Sequence, residues 1–237
     1  MTLNLGALLT YIRADMETRY YFKQMPTGIF ILLNWKHMKL KKLANALLAC
    51  LVMGGAAHAE SGHFTLSSPD LAGGTFDNKF VLNGFGCQGQ NLSPALKWSN
   101  LPEGTKSLAL QVYDPDAPTG SGFWHWTVYN IPATVTELAQ GAGNNASSLP
   151  TGAFGGNTDF MDTGATGANG NYGGPCPPKG DKPHRYIFTL YALAVPQVEV
   201  AAGVPKTGSA GLFGFVLNKG VGPALLGKAS FTATYGR

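Results

Sequence analysis

Three stretches of the chain show the hydrophobic pattern of β-strands. Residues 107–113 alternate large apolar side chains with smaller or more polar ones, and residues 124–131 and 185–194 are rich in aromatic and β-branched residues. A period of two and this composition predict a strand in each stretch. Shorter strands are predicted at residues 63–67, 80–82, 95–98 and 229–235.

One late segment has a different period. In residues 209–220 the apolar side chains recur at helical spacing, with Ser209 at the front and Gly220 at the end. This pattern predicts a short amphipathic helix. Many strands with one or two short helices late in the chain favour a mainly β fold, an antiparallel β-sandwich with appended helices. Residues 141–180 are rich in Gly, Asn and Pro, and a loop of that length in a compact domain usually has a function.

Composition agrees with a folded, turn-rich β protein. Of 237 residues, 44% are hydrophobic and 13% charged, and the chain holds 32 Gly and 15 Pro. The apolar content excludes an intrinsically disordered chain. No run of 18 apolar residues occurs, so no ordinary membrane-spanning helix is expected.

The net charge of +4 is concentrated at the start of the chain. Residues 1–59 hold seven of the 17 basic and two of the 13 acidic residues, which leaves ten basic and eleven acidic residues in 60–237. The remainder therefore carries a net charge of −1. A domain of that charge gives no electrostatic support to a nucleic-acid partner.

Residues 38–59 have the layout of a secretory signal peptide. Basic residues follow Met38, residues 43–57 are apolar, and the small-x-small site 57–59 precedes Glu60. We expect cleavage near Ala59 and a periplasmic or secreted product. Residues 1–37 do not fit in front of a signal peptide, and we interpret them as an upstream extension from a mis-called start, with Met38 as the true start. Residues 60–237 then form a single domain.

Cysteine usage leaves two questions open. Residues 47–50 resemble a lipoprotein cleavage box, but the apolar stretch before Cys50 is short and apolar residues follow it, which disfavours lipidation. Residues 60–237 retain Cys87 and Cys176. An even pair in an oxidising compartment predicts a disulfide, and two buried free thiols are the alternative. Two distant cysteines give no support to a structural zinc site.

Three clusters carry candidate chemistry. Residues 113–118 hold Asp114 and Asp116 two positions apart, with a proline after each. Residues 122–126 place His125 between aromatic rings, and a Pro-rich loop at 173–180 precedes His184. Each has an ordinary reading, as a turn, a packed core histidine or a rigid loop. Together they put two histidines and an aspartate pair at strand ends, where site loops gather. Residues 84–89 match G-x-G-x-x-G by letters, but no βαβ unit surrounds them, so a dinucleotide site is rejected.

The three clusters read D-P-D-A-P, G-x-W-H-W and G-P-x-P-P-x-G followed by H-R-Y. These motifs, in this order, resemble the phosphatidylethanolamine-binding protein family. The resemblance is nearer to its bacterial Raf-kinase-inhibitor-like branch, and it covers nearly all of residues 63–235. It implies a Greek-key β-sandwich with short helices and a small pocket for phosphate-like anions. The residues expected to form this pocket are Asp114, Asp116, Pro118, His125, Pro178, His184 and Tyr186. Residues 163–171 look like a longer insert at its rim.

The resemblance implies a binding module rather than an enzyme. We expect non-enzymatic binding of a small phosphorylated headgroup or other anion, with a protein partner, no cofactor and a monomeric or homodimeric state. The alternative is a metal-dependent or acid/base hydrolase that uses Asp114, His125 and His184. Because free histidine titrates near pH ~6.5, affinity for an anion is expected to rise from about pH 8 to pH 6.

Overall fold

The computed structural model describes residues 20–24, 30–34 and 62–237. The chain divides into two compact units, Met1–Glu60 and Ser61–Arg237. In the first unit, β1 (Tyr20–Gln24) and β2 (Phe30–Asn34) pair in antiparallel register. Apart from these two strands, the predicted upstream extension and signal peptide lie outside the described residues.

The second unit consists mainly of strands. They are β3 (Thr65–Ser67), β4 (Asn83–Gly84), β5 (Cys87–Gln88), β6 (Leu96–Ser99), β7 (Ser107–Asp114), β8 (Phe123–Pro132), β9 (Glu137–Leu138), β10 (Phe154–Gly155), β11 (His184–Leu193) and β12 (Leu225–Tyr235). Two short helices follow β11, α1 (Val198–Ala202) and α2 (Ala210–Phe215). Within the described ranges, no helix has the length and apolar character needed to cross a membrane.

The strands form an antiparallel Greek-key sandwich. The larger sheet has the order β10-β8-β7-β11-β12, and a smaller one has the order β3-β6-β9. In the larger sheet β7, β8 and β10 are neighbours in succession, and the chain then returns through a long connection to place β11 beside β7. Three such strands and a fourth beside the first make a Greek key. The predicted mainly β sandwich is confirmed.

Strand β7 is buried on both faces, which explains its composition. Leu108 and Leu110 belong to the core cluster that also contains Leu96 and Trp98 of the small sheet. Ala109 points to the opposite face and packs in the cluster of the two helices. Because alternate side chains point to opposite sides of a sheet, β7 needs apolar residues at nearly every position.

The predicted strand at 80–82 is wrong. Residues Asn78–Phe80 form a 3₁₀ turn, and the backbone of the next two residues bonds to loops, with Leu82 N–H donating to the Pro175 carbonyl at 3.2 Å. Phe80 and Leu82 are fully buried. Burial accounts for the apolar run, which is too short to show any period.

The predicted helix at 209–220 forms in two parts. The hydroxyl of Ser209 accepts the Leu212 N–H at 3.1 Å and caps the start of α2. After Phe215 the backbone widens into a π-type turn over Val216–Gly220, where Val221 N–H donates to the Val216 carbonyl at 2.9 Å. Helix α1 has no matching sequence prediction, since its five residues are too few for a periodic pattern.

Candidate ligand pocket

A cavity of about 150 Å³ opens at one edge of the larger sheet. The end of β7 and the starts of β8 and β11 meet at this edge, because β7 pairs antiparallel with both neighbours. Six of the seven residues expected in the pocket line this cavity: Asp114, Pro118, His125, Pro178, His184 and Tyr186. Three sequence-distant clusters are therefore brought together by strand pairing.

Asp114 is the polar centre of the cavity floor. It is only 2% exposed, and its Oδ2 accepts a hydrogen bond from His184 Nδ1 at 2.8 Å. Its Oδ1 accepts the backbone N–H groups of Asp116 at 2.8 Å and Ala117 at 3.1 Å. The carboxylate thus orients the His184 ring and also holds the loop that follows β7. The other ring nitrogen of His184, Nε2, lies 3.5 Å from Oδ2 of Asp181, a residue the sequence reading did not single out.

His125 is held as a neutral ring. Its Nδ1 lies 2.9 Å from the carbonyl oxygen of Gly173, which can only accept, so Nδ1 carries the proton. The Nε2 atom is 4.0 Å from Oδ2 of Asp114. Burial lowers the pKa of His125 from 6.5 to about 4, against the smaller opposing effects of the Gly173 carbonyl and the Asp114 charge. The pKa of His125 therefore lies below the ordinary histidine value on which the expected pH dependence of binding rests.

Tyr186 presents an unpartnered hydroxyl. The side chain is 1% exposed and lines the cavity, and its Oη has no hydrogen-bond partner among the residues that the structure describes. Burial raises the pKa of this phenol, so it remains a neutral donor at ordinary pH. A buried polar group without a partner costs about 1–3 kcal/mol, and such a group at a cavity wall favours a bound acceptor.

Asp116 does not line the cavity, unlike the other six expected residues. Its carboxylate accepts two hydrogen bonds from the Arg185 guanidinium, at 2.9 Å each, and a third from the Arg185 backbone N–H at 3.0 Å. The guanidinium holds the pKa of Asp116 well below its usual range. Asp116 therefore fastens the loop after β7 to the start of β11. Arg185 is adjacent to His184 in the H-R-Y motif, which was the available signal for it.

Aromatic side chains that the sequence reading did not assign to the pocket form much of its wall. Phe123 and Phe160 line the cavity with centroids 4.9 Å apart, and Phe160 meets the His125 ring edge-on at 5.4 Å. Phe85 lines it from the β4–β5 turn. The predicted disulfide between Cys87 and Cys176 is present, and Cys176 is also a lining residue. The wall is therefore apolar above a polar floor.

The charged and reactive groups of the cavity are few. Among the described residues that line it, there is neither lysine nor arginine, so the formal charge comes from Asp114 and any proton on the two histidines. Thr119 is the lining aliphatic hydroxyl, and it donates to the Gly122 carbonyl rather than to a histidine. Within 62–237 no group of three His, Cys, Asp or Glu side chains is arranged to hold a metal ion.

Fold and cavity together define a β-sandwich binding protein with one edge pocket built from Asp, His and Tyr. The model of the phosphatidylethanolamine-binding protein family matches residues 72–236, and the chain belongs to this family. YbcL of Escherichia coli K12, a UPF0098 protein, is 49% identical over 162 residues, which cover 68% of this chain and 82% of YbcL. YbhB of the same organism is 46% identical over 139 residues, which cover 58% of this chain and 83% of YbhB.

Solved structures agree with the fold. The crystal structure of E. coli YbcL, described as a new member of the mammalian PEBP family, matches with a TM-score of 0.64 and 45% identity. It covers 73% of this chain and 98% of YbcL. The PEBP homolog CT736 of Chlamydia trachomatis matches with a TM-score of 0.53 and 29% identity. This match covers 73% of this chain and 97% of CT736. The expected family and fold are confirmed.

Proposed function

We propose that this protein binds a small ligand through a phosphate-like or other anionic group that enters the edge cavity, and that it releases the ligand unchanged. The unpartnered hydroxyl of Tyr186 carries the proposal. Tyr186 lines a space of about 150 Å³, which suits a headgroup rather than a large molecule. Membership of a family of binding proteins supports the same reading.

The electrostatics favour an anion of low charge. The lining residues hold the carboxylate of Asp114 and no lysine or arginine, so a dianion would be repelled. A phosphomonoester becomes a monoanion below its second pKa of about 6. The lowered pKa of His125 also means that this ring gains a proton only in more acidic solution. We therefore expect affinity to rise from about pH 7 to pH 5, a lower window than an exposed histidine predicts.

The arrangement supports binding rather than catalysis. A hydrolase that works through a nucleophile needs a hydroxyl or thiol within reach of a base. In the described cavity wall, Cys176 is in a disulfide and Thr119 donates to a carbonyl. The Asp114–His184 pair fixes the orientation of the ring at the cavity, and neither Cys176 nor Thr119 is a free nucleophile there.

The test is calorimetric titration with inorganic phosphate and phosphoethanolamine. In Tyr186→Phe we expect affinity to fall about tenfold, because one hydrogen bond to a charged acceptor is lost. The free energy of unfolding should stay the same or rise slightly, since the removed hydroxyl has no partner. Tyr129→Phe is the matched control: its buried hydroxyl accepts from Gln111 Nε2 at 3.1 Å, so stability should fall while affinity is kept. Equal affinity in Tyr186→Phe and wild type, or no binding by wild type, would contradict the proposal.

We further propose export to the periplasm or the exterior. The signal-peptide pattern of residues 38–59 and the disulfide support this location. The mass of the protein recovered from the extracytoplasmic fraction should correspond to a chain that starts at Glu60. A product that keeps residues 38–59 in the cytoplasm contradicts it. A protein partner and a monomeric or homodimeric state stay predictions.

A further inference from the structure

The turn between β4 and β5 holds a phenylalanine in an unusual backbone conformation. Gly84 pairs with Cys87, so Phe85 and Gly86 form a two-residue turn, and their φ angles are +51° and +83°. Tight hairpins accept positive φ at both positions, but they favour Asn and Gly there. A phenylalanine with positive φ is strained, and strained residues cluster at binding sites.

Phe85 is also the exposed aromatic ring of the cavity rim. It is 57% exposed although it lines the cavity. The other exposed lining residues are Pro118, Thr119 and Pro178. Inward from the rim, Phe85 stacks on Phe160 at 6.1 Å with an interplanar angle of 13°, and Phe160 reaches His125. An aromatic surface therefore runs from the buried histidine to solvent.

Two links hold the Phe85 turn against the Pro-rich wall. The Arg237 guanidinium donates from Nη1 to the Gly86 carbonyl at 2.9 Å and from Nη2 to the Phe85 carbonyl at 3.3 Å. Its Nε donates to the Pro177 carbonyl at 2.7 Å. The disulfide between Cys87 and Cys176 joins the same two segments. The turn is thus fixed before any ligand arrives, which reduces the entropy lost on binding.

We infer that Phe85 is a preformed contact for an aromatic or other compact apolar group bonded directly to the anionic group of the ligand, and that Arg237 is the positioning residue that holds this contact. The inference rests on the proposed function. A cavity of about 150 Å³ encloses a headgroup only, so the rest of the ligand leaves across the rim. The ring that it meets there is Phe85.

Binding of phenyl phosphate and methyl phosphate at about pH 5 tests the contact. At that pH, below the second pKa of about 6, both monoesters are mainly monoanions and carry the same charge. Wild type should bind phenyl phosphate about tenfold more tightly, the size of a good aromatic contact. In Phe85→Ala this ratio should fall to about one, because the variant loses more affinity for phenyl phosphate than for methyl phosphate. Phe215→Ala is the matched control, because Phe215 is 64% exposed and does not line the cavity. It should keep the tenfold ratio.

The positioning role of Arg237 is tested with the same two probes. Arg237→Met removes all donors but keeps an apolar stem, and the ratio should fall to about threefold or less with methyl phosphate affinity retained. Arg237→Lys keeps the charge but lacks the planar guanidinium that donates to three carbonyls. Its preference for phenyl phosphate over methyl phosphate should therefore lie between those of Arg237→Met and the wild type. A general loss of structure would lower both affinities together. An unchanged ratio in Arg237→Met overturns the positioning role.

The outcomes separate the inference from the proposed function. If wild type binds neither phosphate ester, both are wrong. If it binds methyl phosphate and does not prefer phenyl phosphate, the inference is overturned and the proposed function stands. A preference that survives Phe85→Ala also overturns the inference.

Discussion

The Nδ1–H groups of the two pocket histidines donate to different acceptors. In His125 the partner is the neutral carbonyl of Gly173 at 2.9 Å, while in His184 it is the Asp114 carboxylate at 2.8 Å. Both rings are almost fully buried. The carbonyl cannot offset the cost of burying a charged imidazole, so His125 stays neutral over most of the physiological range. Asp114 therefore accepts a hydrogen bond from His184, whereas its carboxylate is 4.0 Å from Nε2 of His125.

The lowered pKa of His125 predicts a loss of stability in mild acid. Between the unfolded pKa of 6.5 and the folded value of about 4, the unfolded chain binds a proton that the native chain does not. Stability therefore rises with pH across this window and is lost as the pH falls through it, by an amount on the order of 2–3 kcal/mol. Urea midpoints measured from pH 7 to pH 4 should show this decline in the wild type.

The variant His125→Gln should show a flatter decline, because its amide can still donate to Gly173 and cannot take up a proton. His63→Gln is the matched control, since His63 is exposed, and its profile should follow the wild type. Asp116 titrates at lower pH, because Arg185 holds its pKa well below the usual range. The same slope in His125→Gln and wild type would refute the assignment.

At the scale of elements, the connection between β7 and β8 determines where the pocket residues lie. Asp114 ends one strand and pairs with Phe123, which begins the next. The chain reverses direction through a segment in which Gly120 and Gly122 have φ angles of +83° and +71°. Glycine adopts such angles without the penalty that a Cβ atom brings. The Tyr113 hydroxyl closes the segment by donating to the Ser121 carbonyl at 2.8 Å.

Two alanine substitutions in this connection separate the backbone cost of a positive φ angle from the steric cost of overlap with Tyr113. In Gly120→Ala the new Cβ meets no atom within 4 Å, so only the backbone penalty of about 1 kcal/mol applies. In Gly122→Ala the Cβ would also overlap the phenol of Tyr113, and we expect a loss of about 2–3 kcal/mol. Urea unfolding of both variants measures the difference. Equal losses would show that Tyr113 moves aside freely.

At the scale of the whole molecule, the pocket joins segments far apart in the chain. Cys87 and Cys176 are separated by 89 positions, and their disulfide connects the β4–β5 hairpin to the loop before β11. The Greek-key return brings that loop to the sheet edge where Asp114 and His125 lie. The disulfide therefore stabilises the fold and the pocket wall together.

Removal of the disulfide should lower the stability substantially. A bridge that closes a loop of this length contributes roughly 4–5 kcal/mol in the chain-entropy model. The double variant Cys87→Ala, Cys176→Ala should unfold at a correspondingly lower urea concentration, and wild type in reductant should match it. A loss below about 1 kcal/mol in the variant would show that the reduced, unfolded chain is already compact.

The sequence by itself determined the long strands and the sandwich class, and its resemblance to a known family named six of the residues that line the cavity. The signals were local: alternation along β7, the aromatic and β-branched content of β8 and β11, and short motifs at strand ends. Local patterns record which side chains are buried and where the chain turns. They were misleading at 80–82, where an apolar run packs as irregular chain.

Only the tertiary structure decided how these residues act. Asp116 pairs with Arg185 instead of facing the cavity, and Phe85 and Arg237, which lie outside the three pocket motifs, meet at its rim. Desolvation of His125 likewise depends on segments that are remote in sequence. Partners of this kind follow from strand register and loop packing, so they are fixed by the arrangement of the whole chain rather than by any one stretch of it.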